Sequence, residues 1–140
     1  MPNTSKHAPL DTATAIRVAA LRETLRAFLR ESELIAQASG LTPQRHLLLL
    51  MIKGAPDGSE RATITELVSR LRLAQTTVSD LVRRAEEVGL IQRERSPDDR
   101  RLVRLRLTAE GERRLARSVR EHADERRRLH AMLRSLEDEG

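Results

Sequence analysis

The stretch RERSPDDRRLVRLRLTAEG, from Arg93 to Gly111, decides the fold because its apolar residues alternate with polar ones. Up to Gly89 the apolar residues recur at helical spacing. Beyond it the period becomes twofold, which is typical of half-buried strands. Two strands are therefore predicted, Ile91–Arg95 and Leu102–Leu107, joined by a turn of residues that favour turns: Ser96, Pro97 and Asp98. Together they form a β-hairpin.

The second predicted strand has one apolar face and one basic face. Val103, Leu105 and Leu107 point one way, whereas Arg104 and Arg106 point the other. A hairpin of this kind packs on a core and presents arginine to the solvent.

The tip of the hairpin holds acids among its arginines. Pro97 and Asp98 favour the turn itself. Asp99 is predicted to fix Arg101 by a charge-assisted hydrogen bond. This leaves Arg100 free to enter a narrow minor groove, where the potential of DNA is most negative.

Two short helices precede the hairpin. Thr63 and Glu66 have the spacing of a capping box, so a helix should run from there to about Leu71. A break at Arg72–Ala74 is followed by a helix from about Gln75 to Val88, which Gly89 ends. Its predicted inward residues are Val78, Leu81, Val82, Ala85 and Val88. Two such helices and a basic hairpin make a winged helix-turn-helix.

The second helix carries a polar edge suited to base edges in the major groove of DNA. Its predicted DNA contacts are Gln75, Thr76, Thr77, Ser79 and Arg83. Those of the wing are Arg93, Arg95, Arg100 and Arg101. Such an edge alone is more often the solvated side of an amphipathic helix. The adjoining arginine-faced hairpin shifts the balance towards DNA.

Helices are also predicted on both sides of this region. One begins near Asp11, with a stripe at Val18, Leu21, Leu25, Phe28, Ser32 and Ile35, and Gly40 ends it. Another is capped by Thr42 and ends at Gly54, and a single long helix follows Thr108. The long helix is apolar at Leu115, Val119, Ala123, Leu129, Met132, Leu133 and Leu136. The predicted fold class is mostly α with a small β-hairpin wing (α+β).

Composition narrows the class of partner. The chain has 140 residues, enough for one compact domain, or one domain plus an arm, and a modest net charge of +5. Of its 26 basic residues only Lys6 and Lys53 are lysine. Arginine suits phosphate and guanine, although a GC-rich genome explains the bias equally well. Phe28 is the one aromatic residue, so base-stacking platforms for single strands are lacking and a nucleic-acid partner should be duplex.

The sequence lacks the residues that several classes of chemistry require. There is no cysteine, which excludes disulfides and thiol redox sensing and makes a reducing cytoplasm the natural compartment. The longest apolar run, Leu47–Ile52, is too short to span a membrane. His122 and His130 lack metal-ligand spacing, and no phosphate loop or nucleophile motif occurs. We expect neither an enzyme nor a metal or cofactor.

Residues 60–111 resemble the MarR family of winged-helix transcriptional regulators. The resemblance rests on ITELVSRLRLAQTTVSDLVRRAEEVGLI and on the wing signature, Asp99-Arg100-Arg101 followed by Leu107-Thr108 and Gly111. It implies a homodimer on a pseudo-palindromic operator, in the cytosol of a bacterium or archaeon and associated with the nucleoid. It also implies a repressor released by a small aromatic or lipophilic effector. In the effector pocket that the resemblance implies, Arg17 and His46 are candidate ligand contacts, although a structural or solvent-facing role is the more common one for such residues.

The resemblance also implies a division of the chain. Residues 1–9 would form a mobile arm, 10–58 the N-terminal helices for dimerisation and the effector, 59–111 the DNA-binding domain, and 112–140 the C-terminal dimerisation helix. The chain stops where the family's final helix starts, so we expect a shortened dimer element.

Two further residues depart from the family pattern. Ala74 stands at the cap of the recognition helix, where serine or threonine is common. Asp80 stands where a basic or neutral residue is frequent. It either pairs with Arg83 or Arg84, the reading we favour, or accepts a hydrogen bond from a cytosine amino group.

The alternative function is a winged-helix protein-interaction module without direct DNA readout. Such a module has no need of arginines gathered near one surface.

Overall fold

The computed structural model describes residues 8–38 and 40–138, and only the backbone of 136 and 137. Six helices and one hairpin follow in the order α1 Thr12–Ala38, α2 Pro43–Lys53, α3 Ile64–Leu71, α4 Gln75–Glu87, β1 Ile91–Arg95, β2 Val103–Leu107, α5 Ala109–Glu121 and α6 Ala123–Asp138. The predicted fold class is confirmed: helices dominate, and the only sheet of the described residues is the antiparallel pair β1–β2. Most of the predicted arm lies outside the described residues.

The chain divides into two compact units. The larger comprises Glu33–His122 and contains α2 to α5, the hairpin and the end of α1. The smaller comprises the described parts of Met1–Ser32 and Ala123–Gly140, with most of α1 and all of α6. The predicted domain boundaries stay a proposal, because compactness alone does not assign a role to either unit.

The core of the larger unit joins the helices to the hairpin. Its members are fully or almost fully buried: Leu41, Leu48, Leu49, Ile52, Ala62, Leu67, Val78, Leu81, Val82, Ala85, Leu90, Ile91, Leu105, Leu107 and Leu115. In the hairpin, Ile91 pairs with Leu107 and Arg95 with Val103. Ala62 forms a further bridge to Leu105, which attaches the hairpin to the chain entering α3.

Local signals set the helix ends as predicted. Thr42 caps α2 by accepting from the Arg45 amide, and Thr63 and Glu66 form a complete capping box at α3. Gly89 follows α4 at φ +74°, a left-handed conformation that favours glycine. These ends fix the spacing between α3, α4 and the hairpin.

Gly111 marks a close approach between two backbone segments of the larger unit. A Cβ atom at this position would lie 2.1 Å from the Leu90 carbonyl oxygen. Thr108 secures the same junction, because its hydroxyl donates to the Gly89 carbonyl at 2.6 Å and accepts from the Gly111 amide at 3.1 Å. The end of α4 and the start of α5 are thus held together, with the hairpin between them.

The smaller unit is held by polar contacts between α1 and α6. Ser32 Oγ donates to Glu125 Oε2 at 3.1 Å, and Arg128 pairs with Glu31 at 3.0 Å. Large apolar side chains of this unit nevertheless face outward: Leu10, Ile16, Val18, Leu29 and Leu133. Among the described residues, no helix is long and apolar enough to cross a membrane.

Three sequence expectations are wrong in detail. The single long C-terminal helix is broken at His122, where the imidazole Nδ1 lies 2.6 Å from the Ser118 carbonyl and closes the last turn of α5. Val88, expected to point inward, is 48% exposed because α4 ends one residue earlier. Val18, expected on the apolar stripe, is 50% exposed.

Candidate nucleic-acid interface

Helix α4 presents its polar edge because its other face is anchored in the core. Val78, Val82 and Ala85 are fully buried. The predicted base-contacting residues therefore lie outward: Gln75, Thr76, Thr77 and Arg83 are exposed, and Ser79 is half-buried. Ala74 occupies the N-cap with extended backbone and no side-chain hydrogen bond. The missing cap predicted from the sequence is confirmed.

An open groove brings this edge together with the wing. It is lined by Gln75, Thr76, Ser79, Asp80, Arg83 and Arg93, and encloses about 600 Å³. Arg93 comes from β1, so the groove is shared by the second helix and the hairpin. Thr77 is exposed but does not line it.

Acids of α4 hold the arginines of the groove. Asp80 pairs through Oδ1 with Arg83 and through Oδ2 with Arg84 Nε at 3.0 Å, so the predicted pairing of Asp80 is confirmed. Arg83 also donates to Glu87 at 2.9 Å. These hydrogen bonds, which Arg83 donates to Asp80 and to Glu87, raise its pKa above the ordinary value, with that to Asp80 contributing most.

Arg93 is fixed to helix α4 rather than free. Its Nε donates to both carboxylate oxygens of Glu86, at 3.0 and 3.2 Å. This contact joins the first strand of the wing to the C-terminal half of α4. No local sequence pattern predicts it, because the two residues lie seven apart across a change of secondary structure.

The wing tip is organised by its backbone. Ser96 donates to the Leu102 carbonyl at 2.9 Å, and the guanidinium of Arg95 donates to the Arg100 carbonyl at 2.8 Å. Arg95, predicted as a DNA contact, is therefore also a brace for the tip. Among the described residues, Arg100 has no ion pair.

The predicted clamp from Asp99 to the Arg101 guanidinium is wrong in its atoms. Asp99 Oδ1 accepts from the Arg101 backbone amide at 3.0 Å, while Arg101 Nε lies 3.7 Å away, beyond hydrogen-bond length. The Arg101 side chain is 95% exposed. Asp and Asn side chains commonly accept a hydrogen bond from the backbone amide two residues further on. Asp99 therefore forms this local bond rather than one to the Arg101 guanidinium.

The basic face of β2 is partly neutralised by Glu94. This carboxylate lies opposite Arg104 in the hairpin register and pairs with Arg61 at 3.1 Å and Arg106 at 3.4 Å. Arg104 and Arg106 are half-buried. The exposed arginines of the wing are therefore concentrated towards its tip.

The two candidate effector contacts lie in different units. Arg17, in the smaller unit, donates to Thr14 Oγ1 at 3.2 Å. His46, in the larger unit, stacks on His122 with ring centroids 4.8 Å apart, and its Nδ1 lies 2.8 Å from Ser118 Oγ. Through these contacts His46 takes part in the packing of the larger unit. Its role in ligand binding stays a prediction.

Two helices joined by a short break, a shared groove and an arginine-tipped hairpin define a winged helix-turn-helix protein. Comparison with known proteins shows which family this region is similar to. Residues 39–102 match the model of the MarR family. The predicted resemblance to this family is thereby confirmed.

One curated relative is similar over part of the chain. An HTH-type transcriptional regulator of Bacillus subtilis (strain 168), YsmB, is 45% identical over 51 residues, which cover 36% of this chain and 35% of that protein. The match thus spans about a third of the curated relative.

Solved structures show the same fold. AbsC, a MarR-family regulator from Streptomyces coelicolor, superposes with a TM-score of 0.73 at 21% identity, over 90% of this chain and 84% of AbsC. Sco3205 from the same organism, solved in complex with DNA, superposes with a TM-score of 0.69 at 24% identity. The superposition covers 87% of this chain and 76% of Sco3205.

Proposed function

We propose that the protein is a transcriptional regulator that binds double-stranded DNA in a sequence-dependent manner, with the groove of α4 and Arg93 as its reading surface. The main support is that hydrogen-bond donors and acceptors from both the helix and the wing line this one groove. Gln75 offers an amide, Ser79 a hydroxyl and Arg83 a guanidinium, which are the groups that pair with base edges. The DNA complex of the structurally similar Sco3205 supports this proposal.

The regulator would act as a homodimer. Outward-facing Ile16, Val18 and Leu29 of α1 and Leu133 of α6 supply apolar surface that a second copy could cover. Two copies would offer two recognition helices to a pseudo-palindromic operator. Sedimentation of the purified chain tests this, and Ile16→Glu should shift the dimer towards monomer because it places a charge on that surface.

The regulator would act in the cytoplasm, as a repressor that a small aromatic or lipophilic effector releases. In the smaller unit, apolar Phe28, Leu129 and Met132 line a groove of about 270 Å³ together with charged Glu31, Glu125 and Arg128, and such a lining suits a small aromatic acid or phenol. Arg17 and His46, the candidate contacts proposed from the sequence, do not line this groove and remain a separate proposal. A panel of small aromatic acids and phenols, tested for release of bound DNA, examines this part separately.

Footprinting on the intergenic DNA beside the protein's own gene tests DNA binding directly. A protected site with a strong salt dependence is expected, since affinity should fall by orders of magnitude between about 50 and 200 mM salt if several phosphates are contacted. Absence of any footprint would contradict the proposed function as a transcriptional regulator. A salt-insensitive interaction with another protein would instead favour an interaction module.

A further inference from the structure

Asp80 occupies an unusual place in the groove, because it is the one acid among its lining residues. Both of its carboxylate oxygens are engaged, Oδ1 by Arg83 and Oδ2 by Arg84 Nε. A carboxylate in this position repels phosphate and competes with it for two guanidinium groups. Its placement therefore affects how the helix meets any DNA.

Arg83 is held from two sides. One terminal nitrogen donates to Asp80, and the other donates to Glu87 at 2.9 Å. These are the nitrogens that would form a bidentate contact to guanine or phosphate. Together, Arg83, Arg84 and Arg93 face Asp80, Glu86 and Glu87, so this part of the surface carries as many negative as positive charges.

We infer that Asp80 is a specificity-determining residue, which holds Arg83 and Arg84 within α4 and so weakens binding to non-cognate DNA. This inference rests on the proposed DNA-binding function. Binding to non-cognate duplex consists almost wholly of phosphate attraction, whereas cognate binding adds base contacts. In a cognate complex each terminal nitrogen of Arg83 keeps a second N–H for a base edge, so the pairing with Asp80 positions the guanidinium and offsets the repulsion of phosphate. Non-cognate binding lacks this base contact, so only the repulsion remains and affinity falls by the larger factor.

The chain provides a matched control for the charge. Glu110 on α5 also pairs with the arginines three and four residues ahead, Arg113 and Arg114, and its side chain is 38% exposed against 41% for Asp80. It does not line the groove of α4. Glu110→Gln and Asp80→Asn thus remove the same charge from the same kind of forked pair.

The test begins with the wild-type chain and a library of duplexes with a randomised core. Affinities of wild type, Asp80→Asn and Glu110→Gln are then measured for the selected duplex and for a shuffled duplex of equal composition. We expect Asp80→Asn to raise affinity for the shuffled duplex by about tenfold or more, and for the selected duplex by less. The salt slope should steepen by about 0.9 for each arginine that gains a phosphate. Glu110→Gln should leave the ratio unchanged.

Two outcomes would overturn the inference. One is an unchanged ratio in Asp80→Asn, with folding verified by thermal melting and the result repeated in Asp80→Ala. The other is a change in selected sequence from cytosine to adenine in Asp80→Asn, which would show that residue 80 reads a base directly. If the wild-type chain enriches no sequence from the library, the proposed function itself fails, and this result is distinct from either outcome.

Discussion

Asp99 binds the backbone of Arg101 and not its guanidinium: Oδ1 accepts from the amide at 3.0 Å and lies 3.7 Å from Nε. The acid at the wing tip therefore shapes the turn and leaves the arginine side chain exposed. Asp99 fixes the path of the chain at the tip, so that Arg100 and Arg101 both project from a defined turn.

Replacing Asp99 separates these two roles. Asp99→Asn keeps an oxygen that can accept from the Arg101 amide, so we expect DNA affinity close to that of wild type. Asp99→Ala removes the acceptor, loosens the tip and should weaken DNA binding severalfold with little change in melting temperature. Affinity measured by fluorescence anisotropy compares the pair. If Asp99→Asn is as damaging as Asp99→Ala, the charge and not the backbone contact is what matters.

Arg100 and Arg101 should contribute to DNA binding without contributing to folding. Each substitution by alanine should reduce affinity and flatten the salt slope by about 0.9 per lost phosphate contact. Melting temperature should stay unchanged because both side chains are exposed. Arg120→Ala, another exposed arginine but on α5, is the control and should leave affinity unaltered. Normal DNA affinity in both wing variants would show that the wing tip does not contact DNA.

Much of the fold follows from short-range signals in the sequence. The capping box of Thr63 and Glu66, the left-handed Gly89 and the alternation of Val103 to Leu107 each act within a few residues. Such signals do not depend on distant parts of the chain. They predicted the bounds of α3, the end of α4 to within one residue, and the hairpin.

Other features depend on contacts that no local pattern reveals. The break at His122 has neither glycine nor proline, and it depends on an imidazole that bonds the Ser118 carbonyl. The contact from Glu86 to Arg93, and that from Arg95 to the Arg100 carbonyl, require the folded positions of α4 and the hairpin. Sequence reasoning identified the arginines of the surface and the pairing of Asp80, but not that Arg93 and Arg95 are held.

Ala74→Ser should stabilise the larger unit. The serine hydroxyl would accept from an unsatisfied amide in the first turn of α4, which alanine cannot do, and a cap of this kind contributes about 0.5–2 kcal/mol. Chemical denaturation measures the change. Ala116→Ser, at an exposed position inside α5, is the control and should lose a few tenths of a kcal/mol, about the difference in helix propensity. Equal effects at both sites would show that residue 74 does not act as a cap.

Glu110 should titrate at a lower pH than an ordinary glutamate. Hydrogen bonds from Arg113 first, and then from Arg114, lower its pKa. Stability from this group is therefore present above the unfolded-state pKa and is lost as pH falls through the folded-state value. In an NMR titration of the carboxyl carbon, Arg113→Ala should raise the midpoint more than Arg114→Ala. A midpoint that neither variant moves would contradict the pairing.

Gly111→Ala should destabilise the larger unit although it replaces glycine within a helix. At an unobstructed helical site this change stabilises by about 1 kcal/mol. Here the new Cβ would meet the Leu90 carbonyl oxygen at 2.1 Å, and the backbone must move apart at a cost of roughly 1–3 kcal/mol or more. The free energy of unfolding of this variant is compared with that of Ala116→Gly, which measures helix propensity alone in α5. A gain in stability for Gly111→Ala would show that α4 and α5 are not held at this distance.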